Sequence, residues 1–161
     1  MERPYILHMF TPGRQMSPFD INMAADAGYQ MVVPYCEVGV DAIAGAAHDA
    51  GCLVVLDNTW SGGRYFNAFA HGCDVSLQAA TKYIVGHADA MLGAVTANAR
   101  AAKYLDNAKE ALGTCPGSEE TYLALRGLRT LHVRLAHHMR SALDMAHWLE
   151  GRAEVTRVLH P

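Results

Sequence analysis

The sequence predicts an α/β protein with a parallel-rich sheet and a long helix at its carboxyl end. Strand-like and helix-like segments alternate with short connections, the order expected of βαβ units. Leu53-Val-Val-Leu56 is a continuous aliphatic run, which suits a strand buried on both faces of a parallel sheet. After residue 118, Leu128, Leu131, Leu135, Ala142, Met145 and Leu149 recur at helical intervals, the stripe of an amphipathic helix.

The elements follow in order. Tyr5–Phe10 reads as a strand and Phe19–Ala27 as a helix, with Gly28 as its C-terminal stop. Gln30–Val33 is a second strand, ended by Pro34. Asp41–Ala50 is alanine-rich and helical, with Gly51 after it, and Leu53–Leu56 is the buried strand. Ser61-Gly-Gly63 is a turn rather than a phosphate loop. Tyr65–His71 is a short helix ended by Gly72. Val75–Gln78 and Ala90–Ala97 read as strands, and Ala99–Ala111 as a helix. Ser118 is the expected N-cap of the last helical region, with Glu119 and Glu120 in its first turn. Gly127 marks a bend between two helices, and Val155–Leu159 reads as a short strand.

Composition narrows the function classes. Hydrophobic residues make up 51% of 161, enough for one domain with a sizeable core and too many for a disordered chain. Thirteen Lys and Arg against sixteen Asp and Glu give a net charge of −3, with no basic stripe, so no nucleic-acid partner is expected. No apolar run is long enough for a membrane span or a signal peptide. Cys36, Cys52, Cys73 and Cys115 form no C-x-x-C pair, as expected of reduced thiols in a cytoplasmic protein. His71, His87, His137 and His138 fit no common zinc spacing, and no metal is expected. Arg126, Arg129, Arg134 and Arg140 read as a solvated face with ion pairs.

Two ionisable residues carry the chemistry. Asp57 closes the Leu53–Leu56 run, and Lys82 follows the Val75–Gln78 segment. Each would stand at the carboxyl edge of a buried sheet, where open α/β sheets meet their ligands. A lysine able to form a Schiff base and an aspartate able to hold a protonated ring nitrogen are what pyridoxal phosphate asks of a protein.

The surrounding text is Val54-Val-Leu-Asp-Asn-Thr-Trp60, Gln78-Ala-Ala-Thr-Lys-Tyr-Ile-Val-Gly-His-Ala-Asp89 and Arg126-Gly-Leu-Arg-Thr-Leu131. In order and spacing it resembles the cystathionine β-lyase branch of the pyridoxal-phosphate enzymes of cysteine and methionine metabolism. The likeness runs from about residue 41 to Pro161. It implies part of a three-layer, fold-type-I large domain. It also implies that Lys82 is the Schiff-base lysine and general base, Asp57 the pyridine-nitrogen partner and Thr81 a hydroxyl near the phosphate. Ala79 stands where many relatives have serine, so one phosphate contact is missing. The implied reaction is β-elimination across the Cβ–S bond of a small sulfur-containing amino acid, in a homo-oligomer whose subunits share their active sites.

Other elements of the family's site lie outside this text. The glycine-containing loop, the ring-stacking aromatic and the phosphate-clamping Tyr and Arg precede it, and the carboxylate-binding arginine follows it. Little lyase turnover is therefore expected from the 161 residues alone.

Residues 1–40 read differently. Pro4-Tyr-Ile-Leu-His-Met-Phe-Thr-Pro12, Met16–Gly28 and Val32-Val-Pro-Tyr35 resemble the amino terminus of methylene-tetrahydromethanopterin dehydrogenases. That implies a strand-helix-strand fragment joined to a partial pyridoxal-phosphate domain over 41–161. Two further readings follow. Asp20 and Asn22 could meet a pterin or nicotinamide ligand, or the whole chain could be a non-catalytic interaction fragment that folds with a partner.

Overall fold

A computed structural model of the chain describes residues 5–8, 29–33 and 39–159. The elements are β1 (Tyr5–His8), β2 (Tyr29–Val33), α1 (Val40–Asp49), β3 (Leu53–Asp57), a 3-10 helix (Ala68–His71), β4 (Val75–Gln78), β5 (Ala94–Ala97), α2 (Ala102–Leu112), α3 (Ser118–Leu128) and α4 (Leu131–Glu150). The helix expected at Phe19–Ala27, its Gly28 stop, Asp20, Asn22 and Cys36 lie outside the described residues.

The five strands form one sheet whose spatial order is their chain order, with β1 to β4 parallel. β5 departs from that direction and pairs antiparallel with β4, Ser76 facing Thr96 and Gln78 facing Ala94. The reason lies in the link between them. Residues 79–93 form tight turns and no helix, and an antiparallel neighbour needs only a turn where a parallel one needs a crossover.

The core sits on one face of β3. Val54 and Leu56 point at Val40, Ile43, Ala44 and Ala47 of α1, and Cys52, Ala68 and Cys73 close the cluster. Alanines on the inner face of α1 allow a close approach. Gly72, with φ 81°, ends the 3-10 helix so near α1 that a Cβ there would lie 2.9 Å from the Ala44 methyl. Burial pushes the Cys73 thiol up to about 11, with the Asp74 and Asp41 carboxylates adding to it, and burial also raises the Cys52 thiol. Neither is a poised thiolate at neutral pH.

A carboxylate at the amino end of β4 locks this core to its neighbours. Asp74 has 0% of its surface exposed. It accepts hydrogen bonds from the Val54 amide (2.9 Å), His48 Nε2 (2.9 Å) and Asn98 Nδ2 (3.1 Å). Burial alone would raise its pKa, but the Val54 amide, His48 and Asn98 outweigh that and hold the carboxyl below its ordinary value. Because the folded value lies below the unfolded value of about 3.9, the stabilisation is complete above that pH and is lost as pH falls through the folded value. Asp74→Asn is expected to lower stability at neutral pH by about 1–2 kcal/mol, the scale of one lost buried hydrogen bond. The variant should also show a shallower loss of Tm below about pH 4. Circular-dichroism melts from pH 3 to 7 measure both, and parallel acid limbs in the two proteins would argue against the assignment.

Several boundaries differ from the sequence expectation. Gly117, not Ser118, caps α3, and Ser118 is its first helical residue with no side-chain cap bond. Thr121 instead returns its hydroxyl to the Gly117 carbonyl at 2.8 Å. α2 begins at Ala102 because the Asn98 side chain takes the Arg100 and Ala101 amides and turns the chain first. The 3-10 helix begins at Ala68, after Asn67. Among the described residues Val155–Leu159 joins no strand; the chain bends at Thr156, and the Val155 amide closes a turn on the Arg152 carbonyl. Helices α3 and α4 are separate, as Gly127 suggested. Of the predicted stripe only Leu135 is buried, and Leu128 and Met145 are exposed. Among the described residues, no helix is long and apolar enough to cross a membrane.

Candidate functional site

β3 and β4 are parallel neighbours, with Asp57 paired across from Leu77, so their carboxyl ends open on the same edge. Local hydrogen bonds tie the two strand ends together there. The Asn58 amide donates to the Leu77 carbonyl at 2.8 Å. Thr59, 3% exposed, joins the two strand ends through its hydroxyl, which donates to Asp57 Oδ1 (2.5 Å) and accepts from the Ala79 amide (2.8 Å). The Thr59 amide also donates to Asp57 Oδ1, at 3.1 Å. Behind it, Asn58 receives the Ser61 hydroxyl and donates to the Phe66 carbonyl, so the turn after β3 is internally bonded. Asp57 is thus held by one oxygen. Among the described residues its Oδ2 has no partner.

Lys82 lies in the turn after β4. Its amide donates to the Ala79 carbonyl (3.0 Å) and its carbonyl accepts from Gly86 (2.8 Å), while the Val85 amide reaches back to Ala80. Ala80 and Val85 are buried, which anchors both sides of the turn, and the Lys82 side chain is exposed. Among the described residues Nζ has neither a hydrogen-bond nor an ion-pair partner.

Thr81 is on the same turn, but its hydroxyl is occupied. It donates to the Leu92 carbonyl (3.2 Å) and accepts from the Leu92 amide (2.8 Å), tying the turn to the segment before β5. The structure therefore brings Asp57 and Lys82 to one edge with free polar atoms, and gives Thr81 a structural bond there. Trp60, 83% exposed, follows directly on Thr59. A cleft of about 560 Å³ is lined by Asn58, Gly63, Phe66, Ser76, Gln78 and Thr96, with neither Asp57 nor Lys82 among its walls. The candidate site is an open edge, not that cleft.

Two residues of this edge are not apparent from motif and spacing. Thr59 had a local signal, since a threonine two residues after an aspartate can close a turn on the carboxylate. Arg134 had none. It corrects the expectation of a solvated arginine face, because its guanidinium is folded onto backbone carbonyls of the Lys82 turn. Arg126 is an ion-pair residue, 2.7 Å from Asp89.

A Thr59→Val variant leaves the Ala79 amide without its acceptor and Asp57 without its hydroxyl donor. It is expected to lose about 1–2 kcal/mol in urea unfolding, with Thr59→Ser recovering most of it. Equal midpoints for valine and wild type would mean the bridge contributes nothing.

The profile of the Cys/Met metabolism PLP-dependent enzyme family matches residues 33–161. A putative cystathionine beta-lyase of Rhizobium johnstonii is 49% identical over 122 residues, 76% of this chain and 31% of that protein. The cystathionine beta-lyase MetC of Escherichia coli is 46% identical over 109 residues, 68% of this chain and 28% of that protein. Among solved structures, a cystathionine gamma-lyase (CalE6) of Micromonospora echinospora superposes with TM-score 0.78 and 28% identity, over 88% of this chain and 40% of that one. Cystathionine gamma synthase of Xanthomonas oryzae pv. oryzae, in complex with cystathionine, gives TM-score 0.76 and 30% identity, over 88% and 38%. The chain spans about a third of the length of the curated relatives it matches.

Proposed function

The chain belongs to the Cys/Met metabolism PLP-dependent enzyme family, and from that membership we propose that it carries the Lys82–Asp57 part of a pyridoxal-phosphate site for carbon–sulfur bond cleavage. The observation that supports this reading is the shared edge: Oδ2 of Asp57 at the end of β3 and Nζ of Lys82 in the turn after its parallel neighbour β4, both without partners among the described residues.

Each residue has a role its surroundings suit. Lys82 Nζ would hold the cofactor covalently and, as a free amine, would move the proton at the substrate Cα. Asp57 Oδ2 would hold a proton on the ring nitrogen, while Thr59 fixes the carboxylate through the other oxygen. Bound there, pyridoxal phosphate supplies the electron sink for the charge that develops at Cα. Thr81 stands beside Lys82, and meets the phosphate as a donor only by releasing the Leu92 carbonyl. The proposed substrate is a small sulfur-containing amino acid such as cystathionine, cleaved by β-elimination.

The test is cofactor retention. Purified protein and the Lys82→Ala variant are mixed with pyridoxal phosphate, freed of excess by gel filtration, and scanned in the visible. Wild type is expected to keep a band that borohydride fixes covalently on Lys82, and the variant to lose it. No retained band, or equal labelling of both proteins, would reject the proposal.

A further inference from the structure

We infer that Arg134 is the positioning residue of the Lys82 turn, an inference that rests on Lys82 being the cofactor-bearing lysine. Arg134 sits in the first turn of α4, some fifty residues from the site in sequence. Its Nη1 donates to the Tyr83 carbonyl at 2.7 Å, and its Nη2 to the carbonyls of Ile84 (3.3 Å) and Gly127 (2.8 Å). Its Nε donates to the Thr130 hydroxyl at 3.0 Å. The two carbonyls directly after Lys82 are therefore held by one cation, which also ties down the end of α3.

Among the described residues no carboxylate pairs with this guanidinium, so its charge falls on the turn's carbonyl dipoles. Charge-assisted bonds from a rigid planar fork fix both distance and direction, which a lysine ammonium does not. The neighbouring residues are shaped for this contact. Gly86, with φ 76°, lies under the guanidinium, where a Cβ would collide with Cζ and Nη1. A Cβ on Gly127 would collide with the Ile84 and Val85 carbonyls, so α3 itself lies directly against the turn. Tyr83 meets the His138 ring of α4 at 5.8 Å between centroids, and Arg126 pairs with Asp89 at the far end of the segment. The segment that carries Lys82 is thus fastened from the α3–α4 junction, and Arg134 is the fastener that holds the backbone carbonyls directly after the lysine. A displacement of about 1 Å at a reacting group can cost a hundredfold in rate, which gives such a fastener its functional weight.

The experiment compares wild type, Arg134→Lys and Arg134→Gln by amide hydrogen exchange and by the rate of pyridoxal phosphate uptake on Lys82. The Val85 and Gly86 amides report the turn, and the Asn58 and Asp74 amides report the sheet. We expect turn amides to exchange about tenfold faster in Arg134→Lys, the effect of losing one charge-assisted bond, with sheet amides within about twofold of wild type. Uptake on Lys82 should slow by a similar factor. Turn exchange equal to wild type, or equal acceleration in turn and sheet, overturns the inference, the second result marking a merely structural role. Arg134→Lys keeps the charge and serves if Arg134→Gln does not fold. If wild type takes up no cofactor on Lys82, the proposed function fails on that arm alone, and the exchange arm still decides whether Arg134 holds the turn.

Discussion

An Asp57→Ala variant is expected to bind pyridoxal phosphate about ten- to hundredfold more weakly than wild type while remaining almost as stable. Two different links of the chain from sequence to function separate here. Asp57 is exposed and contributes to the fold only through the Thr59 turn, so its loss should cost no more than about 1 kcal/mol in urea unfolding. Its Oδ2 has no partner among the described residues. A hydrogen bond between that carboxylate and a protonated ring nitrogen amounts to about 1.5–3 kcal/mol, which is the affinity ratio above. Absorbance titration gives the affinity and the urea midpoint gives the stability. Unchanged affinity with a lowered midpoint would make Asp57 a turn carboxylate for Thr59 and nothing more.

Gly127→Ala should reduce stability by about 1–3 kcal/mol, the range for forcing extra volume into a packed contact. The sign is the informative part. At an exposed helical position alanine is better than glycine by about 1 kcal/mol, so the substitution would raise the urea midpoint. Gly127 is buried in α3, and its added methyl would meet the backbone carbonyls of Ile84 and Val85, which cannot move aside as a side chain could. The Val85 and Gly86 amides should lose exchange protection with it. A raised midpoint would mean that α3 does not lie against the Lys82 turn in solution.

Much of the fold was readable from local pattern. The Leu53–Leu56 run became the strand β3, with Val54, Val55 and Leu56 buried, and the alanine-rich segment after Asp41 became the helix that covers it. Gly72 and Gly127 read as punctuation in the sequence; Gly72 caps the 3-10 helix and Gly127 lies in the last turn of α3. For Gly127 the reason is different from the expected bend, since what excludes a side chain there is a backbone lying against it. The direction of β5 was not readable, because periodicity reports which face of a strand is buried and says nothing of which neighbour it joins. Nor was the cover of α4 readable, since a stripe at helical spacing shows that a face is apolar without showing what meets it.

The sequence by itself determined a carboxylate closing the aliphatic Leu53–Leu56 run and a lysine four residues beyond the β-prone Val75–Gln78 segment. Strand length and apolar pattern place each toward a carboxyl edge through local rules alone. Only the tertiary structure decided that β3 and β4 are neighbours, and so that Asp57 and Lys82 open on one edge. It also decided that Thr59 bridges the two strand ends and that Arg134 reaches back across the fold to the Lys82 turn. The physical reason is range. Strand and helix patterns arise from contacts a few residues apart, whereas these hydrogen bonds join residues twenty and fifty-one apart. Their formation depends on how the packed elements lie, which no short window of sequence encodes.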